Sequence, residues 1–179
     1  LATQTSYQPW WRRLGYRILG WPTFLAVASR ILSLLQRFKV IPQKLGLPPI
    51  PIVQRRLVAS GTDVWLFTGC IMDAWMRDTH RAVQRVVEAT GAGVQFPDKA
   101  AACCGALHVH AGLGEDARRL AERTMTAFPG ESPILVDSAG CGAQLKDYGH
   151  LLGTERAENF ANRVFDVHEW LVERIDELP

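Results

Sequence analysis

Two cysteines stand side by side in the stretch ACCGALHVHAG, residues 102–112, of a chain that contains four cysteines. A disulfide between neighbours is disfavoured, because the bridge needs α-carbons further apart than one peptide bond comfortably allows. Thiolates are metal ligands, and two thiolates on one loop can serve a pair of metal positions. The other two cysteines lie in the segments GCIMD and SAGCG, so the candidate metal ligands are Cys70, Cys103, Cys104 and Cys141.

Glycines flank these cysteines at four positions, which are Gly69, Gly105, Gly140 and Gly142. We expect them to permit positive φ angles and close approach of the backbone to a bulky inorganic group. Backbone amides freed by such turns can donate hydrogen bonds to sulfur. The alternative is that free cysteines are small buried hydrophobic residues, as a single cysteine commonly is. Four cysteines in glycine-rich turns favour a site.

The elements that position the cysteines begin near Asp63, where strand and helix patterns alternate. Short β-rich runs predict strands over 64–69, 93–96, 134–140 and 163–167. Helical patterns predict helices over 73–90, 114–128, 143–152, 155–163 and 169–175. Asp73 is the expected N-cap of the first of these helices, and Asp166 or His168 leads into the last. The order predicts an α/β fold, with a mostly parallel sheet and flanking helices.

Each candidate ligand follows a predicted strand. Cys70 comes directly after the first strand and Cys141 directly after the third, and each precedes a helix whose N-terminus favours thiolate over thiol. Cys103 and Cys104 lie in the loop after the second strand. Because functional groups gather beyond the carboxyl ends of parallel strands, the four sulfurs are predicted to meet at one rim of the sheet.

The first 61 residues differ in charge from the rest of the chain. They contain nine basic and no acidic side chains, whereas the remaining 118 residues contain 11 basic and 18 acidic ones, so the two parts carry +9 and −7. Helical patterns around Trp21-Pro22 and prolines between residues 42 and 51 predict a basic helical arm and proline-rich linker over 1–61, followed by a domain over 62–179.

The apolar part of this arm, residues 18–35, is interrupted by Arg30 and falls short of a membrane-spanning helix. We expect the arm to pack on the rest of the protein or on a missing domain. Contact with a membrane surface or a protein partner is the alternative.

The cysteine pattern resembles a known family. GCIMD, ACCGALHVHAG and SAGCGAQLKDYGHLL, which contain all four cysteines, are similar to segments of the cysteine-rich CCG domain of the glycolate oxidase iron–sulfur subunit, the lactate-utilisation iron–sulfur protein and the heterodisulfide reductase B subunit. The resemblance covers about residues 63–175 and implies a Rossmann-like domain. It also implies that Cys70, Cys103, Cys104 and Cys141 bind an iron–sulfur cluster, expected to be [4Fe–4S].

The resemblance implies electron transfer as the function. Such subunits pass electrons from a flavin-containing subunit, which oxidises a 2-hydroxy acid such as glycolate or lactate, to an acceptor such as membrane quinone. The arm and linker resemble the stretch between a ferredoxin-like domain and the first CCG domain, so we expect this chain to lack that domain and the second CCG domain. It would be an electron-transfer fragment of an oxidoreductase complex, with no catalytic residue for the substrate.

One position departs from the family pattern. The fuller pattern ends C-x-x-C, but Gln144 stands three residues after Cys141. Four thiols remain where the heterodisulfide reductase type uses five, which weighs against our second hypothesis, a cluster site that cleaves disulfides. Four thiolates also suffice for a [2Fe–2S] centre or tetrahedral zinc. A zinc-stabilised scaffold that docks partners is therefore the third hypothesis.

Three further side chains are candidates for the surroundings of the sulfurs. His108 and His110 alternate in a piece expected to be strand-like, which would put both on one side as hydrogen-bond partners or replacement ligands. Lys146 is either a cation that balances thiolates or an ordinary helix-face lysine. Asp137, in a buried strand, needs a partner such as a backbone amide, an arginine or a histidine. We assign no role to His80 or His168.

Other function classes are disfavoured by missing motifs. The chain has no nucleophile elbow, Walker loop or paired carboxylates, and the glycines at 140 and 142 lack the rest of a dinucleotide fingerprint. The basic arm carries no recognised nucleic-acid motif, so no nucleic acid is expected as a partner. Free thiols and the lack of a secretory signal favour the cytoplasm, with peripheral contact on the inner membrane face through the arm.

Overall fold

The computed structural model describes residues 10–97, 101 and 103–178. At its centre is a four-stranded sheet in which every neighbouring pair is parallel, in the order β2-β1-β3-β4. The strands are β1 Val64–Phe67, β2 Val94–Gln95, β3 Ile134–Val136 and β4 Val164–Asp166. The predicted α/β fold with a parallel sheet and flanking helices is confirmed.

Ten α-helices are assigned in the described residues. Two precede the sheet, α1 Trp10–Leu19 and α2 Pro22–Arg37. The others connect or follow the strands and are α3 Ile71–Trp75, α4 Arg77–Ala89, α5 Ala106–His110, α6 Gly114–Thr126, α7 Ala139–Lys146, α8 Tyr148–Leu152, α9 Glu155–Ala161 and α10 Val167–Val172. No helix in this part of the chain is long and apolar enough to cross a membrane.

The two central strands are buried on both faces, as expected of a parallel sheet covered by helices. Successive side chains of a strand point to opposite faces. Phe67 and Ile134 accordingly belong to one cluster, which also contains Phe128 and Tyr148. The second cluster contains Val64, Leu66, Val94, Leu135 and Trp170. The sheet is therefore held by helices on both sides, which fixes the positions of its strand ends.

The predicted strands extend too far at their carboxyl ends. β1 ends at Phe67 rather than at 69, and β3 ends at Val136 rather than at 140. Gly69 adopts a φ of +65° that no strand allows, and α7 already begins at Ala139, so neither strand continues. The residues just beyond each strand are thus free to form turns at the sheet edge.

Two predicted helices are each divided in two. The helix expected over 73–90 is interrupted at Met76, and the one expected over 143–152 begins earlier and is interrupted at Asp147. Asp73 is not an N-cap, because it lies within α3 and forms a two-pronged ion pair with Arg77, at 2.7 and 2.8 Å. Asp166 does cap α10, and it forms a reciprocal capping box with Glu169.

The arm helices pack against the domain through α2. The Trp75 indole of the domain donates a hydrogen bond to Ser29 Oγ at 2.9 Å. Within the arm and linker, the buried Ser33 hydroxyl donates to Ile50 O at 2.6 Å. Pro22 is the first residue of α2, as its sequence position predicts. The division into an arm over 1–61 and a domain over 62–179 remains our proposal.

Candidate functional site

The four cysteine sulfurs lie together at the carboxyl edge of the sheet, in two pairs. Cys104 Sγ is 3.3 Å from Cys141 Sγ, and Cys70 accepts a hydrogen bond from the thiol of Cys103. The pairs are near enough to each other that Cys141 interacts electrostatically with Cys70 and with Cys103. The structure thus brings together side chains from three separate turns.

Two turn glycines make this approach possible. Gly69 has a φ of +65°, and a Cβ atom placed on it would lie 3.7 Å from Cys141 Sγ. Gly105 has a φ of +87° directly before α5, and a Cβ there would lie 3.4 Å from Ala117 O. Positive φ angles were also expected at Gly140 and Gly142, and that expectation is wrong, because both are helical residues of α7.

Each sulfur pair consists of one thiol that donates and one sulfur that accepts. The hydrogen bond from Cys103, aided by the backbone amides of Ile71 and Cys70, lowers the pKa of Cys70 to about 7 despite its burial. The hydrogen bond from Cys104, aided by Ser138, likewise lowers the pKa of Cys141.

The donors are shifted in the opposite direction. Donation to Cys70 and burial raise the pKa of Cys103, and donation to Cys141 and burial raise the pKa of Cys104. In the metal-free protein, the site therefore contains two sulfurs poised to become thiolates and two neutral thiols beside them.

Two side chains that the sequence analysis did not single out hold the paired-cysteine loop. The Tyr148 hydroxyl donates to Cys104 O at 2.8 Å, and the Thr124 hydroxyl donates to Cys103 O at 3.2 Å. Tyr148 and Thr124 are fully buried, and burial raises the pKa of Tyr148 well above its usual value. These two bonds fix the backbone from which both buried sulfurs project.

A third residue to which the sequence assigned no role, His80, joins the other two cysteine-bearing turns. Its Nδ1 lies 2.6 Å from Asp137 Oδ2 and its Nε2 lies 2.9 Å from Thr68 O. Asp137 follows β3 and Thr68 follows β1, so the fully buried imidazole ties together the turns that lead to Cys141 and Cys70. A histidine is the kind of partner predicted for Asp137, but no sequence pattern linked it to His80, 57 residues away.

The two histidines after the cysteine pair lie on a helix and not on a strand-like piece. His108 and His110 are both in α5, where residues two apart point in different directions, so the expectation that they share one side is wrong. His108 is buried against Tyr16 of α1, with ring centroids 6.2 Å apart, and burial lowers its pKa. His110 is exposed. Their proposed role beside sulfur is not supported by these contacts.

Two residues of α7 differ in their surroundings. Lys146 is exposed and donates to Glu169 at 2.6 Å, which supports its interpretation as a helix-face lysine. Gln144, where the fuller family pattern has a fifth cysteine, is buried, and its Nε2 has no hydrogen-bond partner in the described part of the chain. A buried polar atom without a partner needs an explanation.

The donor set fits a group that binds through thiolate sulfur. Among the described residues, no three His, Cys, Asp or Glu side chains are grouped so that they could hold a single metal ion. The sulfurs are arranged as two pairs instead, and soft thiolate donors suit iron–sulfur clusters and zinc. Such a group would be held by Cys70, Cys103, Cys104 and Cys141, with the unpartnered amide of Gln144 on the same helix as Cys141.

Clustered thiols at the carboxyl edge of a parallel sheet define a cysteine-rich α/β domain. Residues 64–146 match the CCG family model, described as a cysteine-rich domain, which confirms the resemblance seen in the sequence. The match includes the turns that carry all four cysteines.

Curated relatives are similar to between 61% and 66% of this chain. A probable glycolate oxidase iron-sulfur subunit of Bacillus subtilis is 34% identical over 62% of this chain and 26% of the relative. A component of the fumarate reductase (CoM/CoB) of Methanothermobacter marburgensis is 35% identical over 66% of this chain and 23% of its own length. Lactate utilization protein A of Geobacillus thermodenitrificans is 28% identical over 61% of this chain and 47% of its own length.

The chain thus spans between about a quarter and a half of these relatives. No solved structure matches it.

Proposed function

We propose that this chain is an iron–sulfur electron-transfer module of a glycolate- or lactate-type 2-hydroxy-acid oxidoreductase. The observation that carries the proposal is the meeting of four thiols from three turns at one edge of the sheet. The names of the similar proteins, which include an iron-sulfur subunit and a lactate utilization protein, support this class. The ligands would be Cys70, Cys103, Cys104 and Cys141.

The surrounding residues suit such a centre. When bound, an iron–sulfur cluster of [4Fe–4S] or another type supplies one-electron chemistry. Cys103 and Cys104 are buried and would hold one side of it away from water, whereas Cys70 and Cys141 are half-buried and would leave the other side nearer to solvent. Cys70 also borders a cavity of about 430 Å³ between α2 and the β1–α3 turn.

The substrate chemistry would belong to other polypeptides. In the proposed assembly, a flavin-containing subunit oxidises the 2-hydroxy acid and a quinone or other carrier receives the electrons. A ferredoxin-like domain and a second CCG domain would complete the electron path. No acid–base pair for substrate is proposed on this chain.

Anaerobic purification tests the centre directly. We expect a brown protein that contains iron and acid-labile sulfide and gives a paramagnetic signal when oxidised or reduced by one electron. Cys104→Ser should abolish colour and iron binding, because it removes one ligand of the buried pair. Ala121→Ser, which places a similar hydroxyl in the same core cluster without removing a thiol, is the matched control and should keep the iron.

The contrary result is equally clear. A colourless protein with stoichiometric zinc would support the zinc-stabilised scaffold, and a Cys104→Ser variant with full iron content would exclude Cys104 as a ligand. Each outcome is read from metal analysis of the same preparations.

We further infer that the arm rests on an anionic membrane surface. On α2, Phe24, Val27 and Ile31 are each more than half exposed, whereas Leu25, Ser29 and Ser33 on another side are buried. The exposed positions recur at helical spacing and form one apolar face. Residues 1–61 contain no acidic side chain, so the charge that the arm itself carries is entirely basic and complements anionic lipid.

Vesicle sedimentation tests this surface. The chain should bind vesicles that contain phosphatidylglycerol and not vesicles of pure phosphatidylcholine. Phe24→Glu with Ile31→Glu should abolish binding, whereas Val172→Glu, at an exposed apolar residue of the domain, should not. Binding unchanged in the double variant, or a dimer that the double variant disrupts, would show that lipid is not the occupant of this face.

A further inference from the structure

A buried amide lies one helical turn beyond Cys141. Gln144 is only 7% exposed, and its Nε2 has no hydrogen-bond partner in the described part of the chain. Native proteins seldom bury an N–H donor without an acceptor, because the group loses its water and gains nothing in return. The unpaired donor therefore needs an acceptor to which it is not bonded in the described arrangement of the site.

Helix geometry directs this amide towards the sulfurs. Gln144 and Cys141 are three residues apart on α7, so they share a face of the helix. Helical side chains lean towards the N-terminus of their helix, which carries the Gln144 side chain back over the turn that holds Cys141. Cys141 Sγ in turn lies 3.3 Å from Cys104 Sγ. The amide thus leans towards one of the two sulfur pairs.

We propose that Gln144 donates a hydrogen bond from Nε2 to the sulfur of Cys141 when that sulfur is a metal-bound thiolate. The inference rests on the proposed iron–sulfur centre and deepens it. An N–H donor stabilises the more negative, reduced state of such a centre and so raises its reduction potential. Gln144 then sets the potential of the site while the four cysteines hold the metal.

The Gln144→Met variant tests the hydrogen bond, because methionine keeps the length and volume of the side chain and removes the donor. We expect unchanged iron and sulfide content and a midpoint potential lower by about 59 mV, which is a tenfold change in a one-electron equilibrium. Gln84→Met is the matched control. The Gln84 amide already donates to Val58 O and Glu88, so its replacement should leave the potential unchanged.

Isotope labelling provides a readout that a loss of packing would not produce. With ¹⁵N in the glutamine side chains, pulsed electron paramagnetic resonance should detect a ¹⁵N coupling to the paramagnetic centre. The coupling should persist in Gln84→Met and disappear in Gln144→Met.

The outcomes separate this inference from the proposed function. A wild-type chain that binds no iron overturns the proposed function and this inference with it. A normal iron–sulfur centre whose potential and ¹⁵N coupling are unchanged in Gln144→Met overturns the inference alone.

Discussion

The thiol of Cys103 donates a hydrogen bond to the sulfur of Cys70. This bond lowers the pKa of Cys70 and raises the pKa of Cys103, although free cysteines share one ordinary pKa. The difference arises from position: Cys70 stands at the start of α3, where backbone amides point at its sulfur, whereas Cys103 is buried in a loop. Because a thiolate is the reactive form of cysteine, the asymmetry is accessible to chemical labelling.

In the metal-free chain, we expect iodoacetamide to label Cys70 first. Its pKa of about 7 lies below that of a free thiol, so the labelling rate should rise as pH increases through about 7 and then level off. The thiols of Cys103 and Cys104 should react more slowly, because their pKa values are raised and their side chains are buried. Mass spectrometry of peptides labelled between about pH 6 and about pH 9 would measure this, since that window brackets the expected midpoint. Equal rates for Cys70 and Cys103 would contradict it.

The glycines beside the cysteines should respond to alanine in opposite directions. Gly69→Ala forces a side chain into a left-handed conformation close to Cys141 and should destabilise the protein by about 1–2 kcal/mol. Gly140→Ala is the control, because Gly140 is helical with open space around it, and should stabilise by about 0.5 kcal/mol. Urea denaturation of both variants measures the change in the free energy of unfolding. A change of the same sign in both variants would contradict this prediction.

At the scale of elements, His80 on α4 joins the ends of two neighbouring strands. Because Thr68 O can only accept, Nε2 carries a proton, and the short contact from Nδ1 to Asp137 Oδ2 requires one proton shared between those atoms. The bridge is therefore a buried pair that stabilises the fold only when both members are present.

A double-mutant cycle tests this bridge. His80→Ala should lower the free energy of unfolding by about 3 kcal/mol, because it leaves the Asp137 carboxyl buried without its partner. Asp137→Ala should also destabilise, and the double variant should lose much less than the sum of the two. The measurement is urea denaturation of the three variants. Additive losses would mean that the two side chains act independently.

The sequence predicted the order of elements and the parallel sheet, because apolar strand runs and amphipathic helices alternate along the chain. It did not predict where β1 and β3 end, since Thr68 and Asp137 are engaged by His80 and not by neighbouring strands. The alternation of His108 and His110 is typical of a strand, but Gly105 precedes helix α5, which contains both histidines. Pairings between residues far apart in the chain, such as those of Tyr148 and His80, leave no local pattern.

At the scale of the whole molecule, the charge contrast between the arm and the domain suggests electrostatic docking, but the contacts indicate otherwise. Arg17 and Asp116 form an ion pair between them at 3.2 Å, and the arginine side chain is 63% exposed. Exposed ion pairs contribute little to stability and are screened by salt. Ser29 of α2, in contrast, is buried, and its hydroxyl oxygen accepts a hydrogen bond from the Trp75 indole of the domain at 2.9 Å.

We therefore expect buried hydrogen bonds, not charge, to hold the arm in place. Ser29→Ala leaves the Trp75 indole N–H without its acceptor and should weaken docking of the arm by about 1 kcal/mol, because water does not readily replace a bond at this buried position. Limited trypsin digestion should then cut faster at the exposed linker residues Arg55 and Arg56. Arg17→Gln, or salt of about 0.5 M, should leave the cleavage rate nearly unchanged, since only a screened surface pair is affected. Cleavage that is faster in Arg17→Gln but unchanged in Ser29→Ala would instead establish that charge holds the arm.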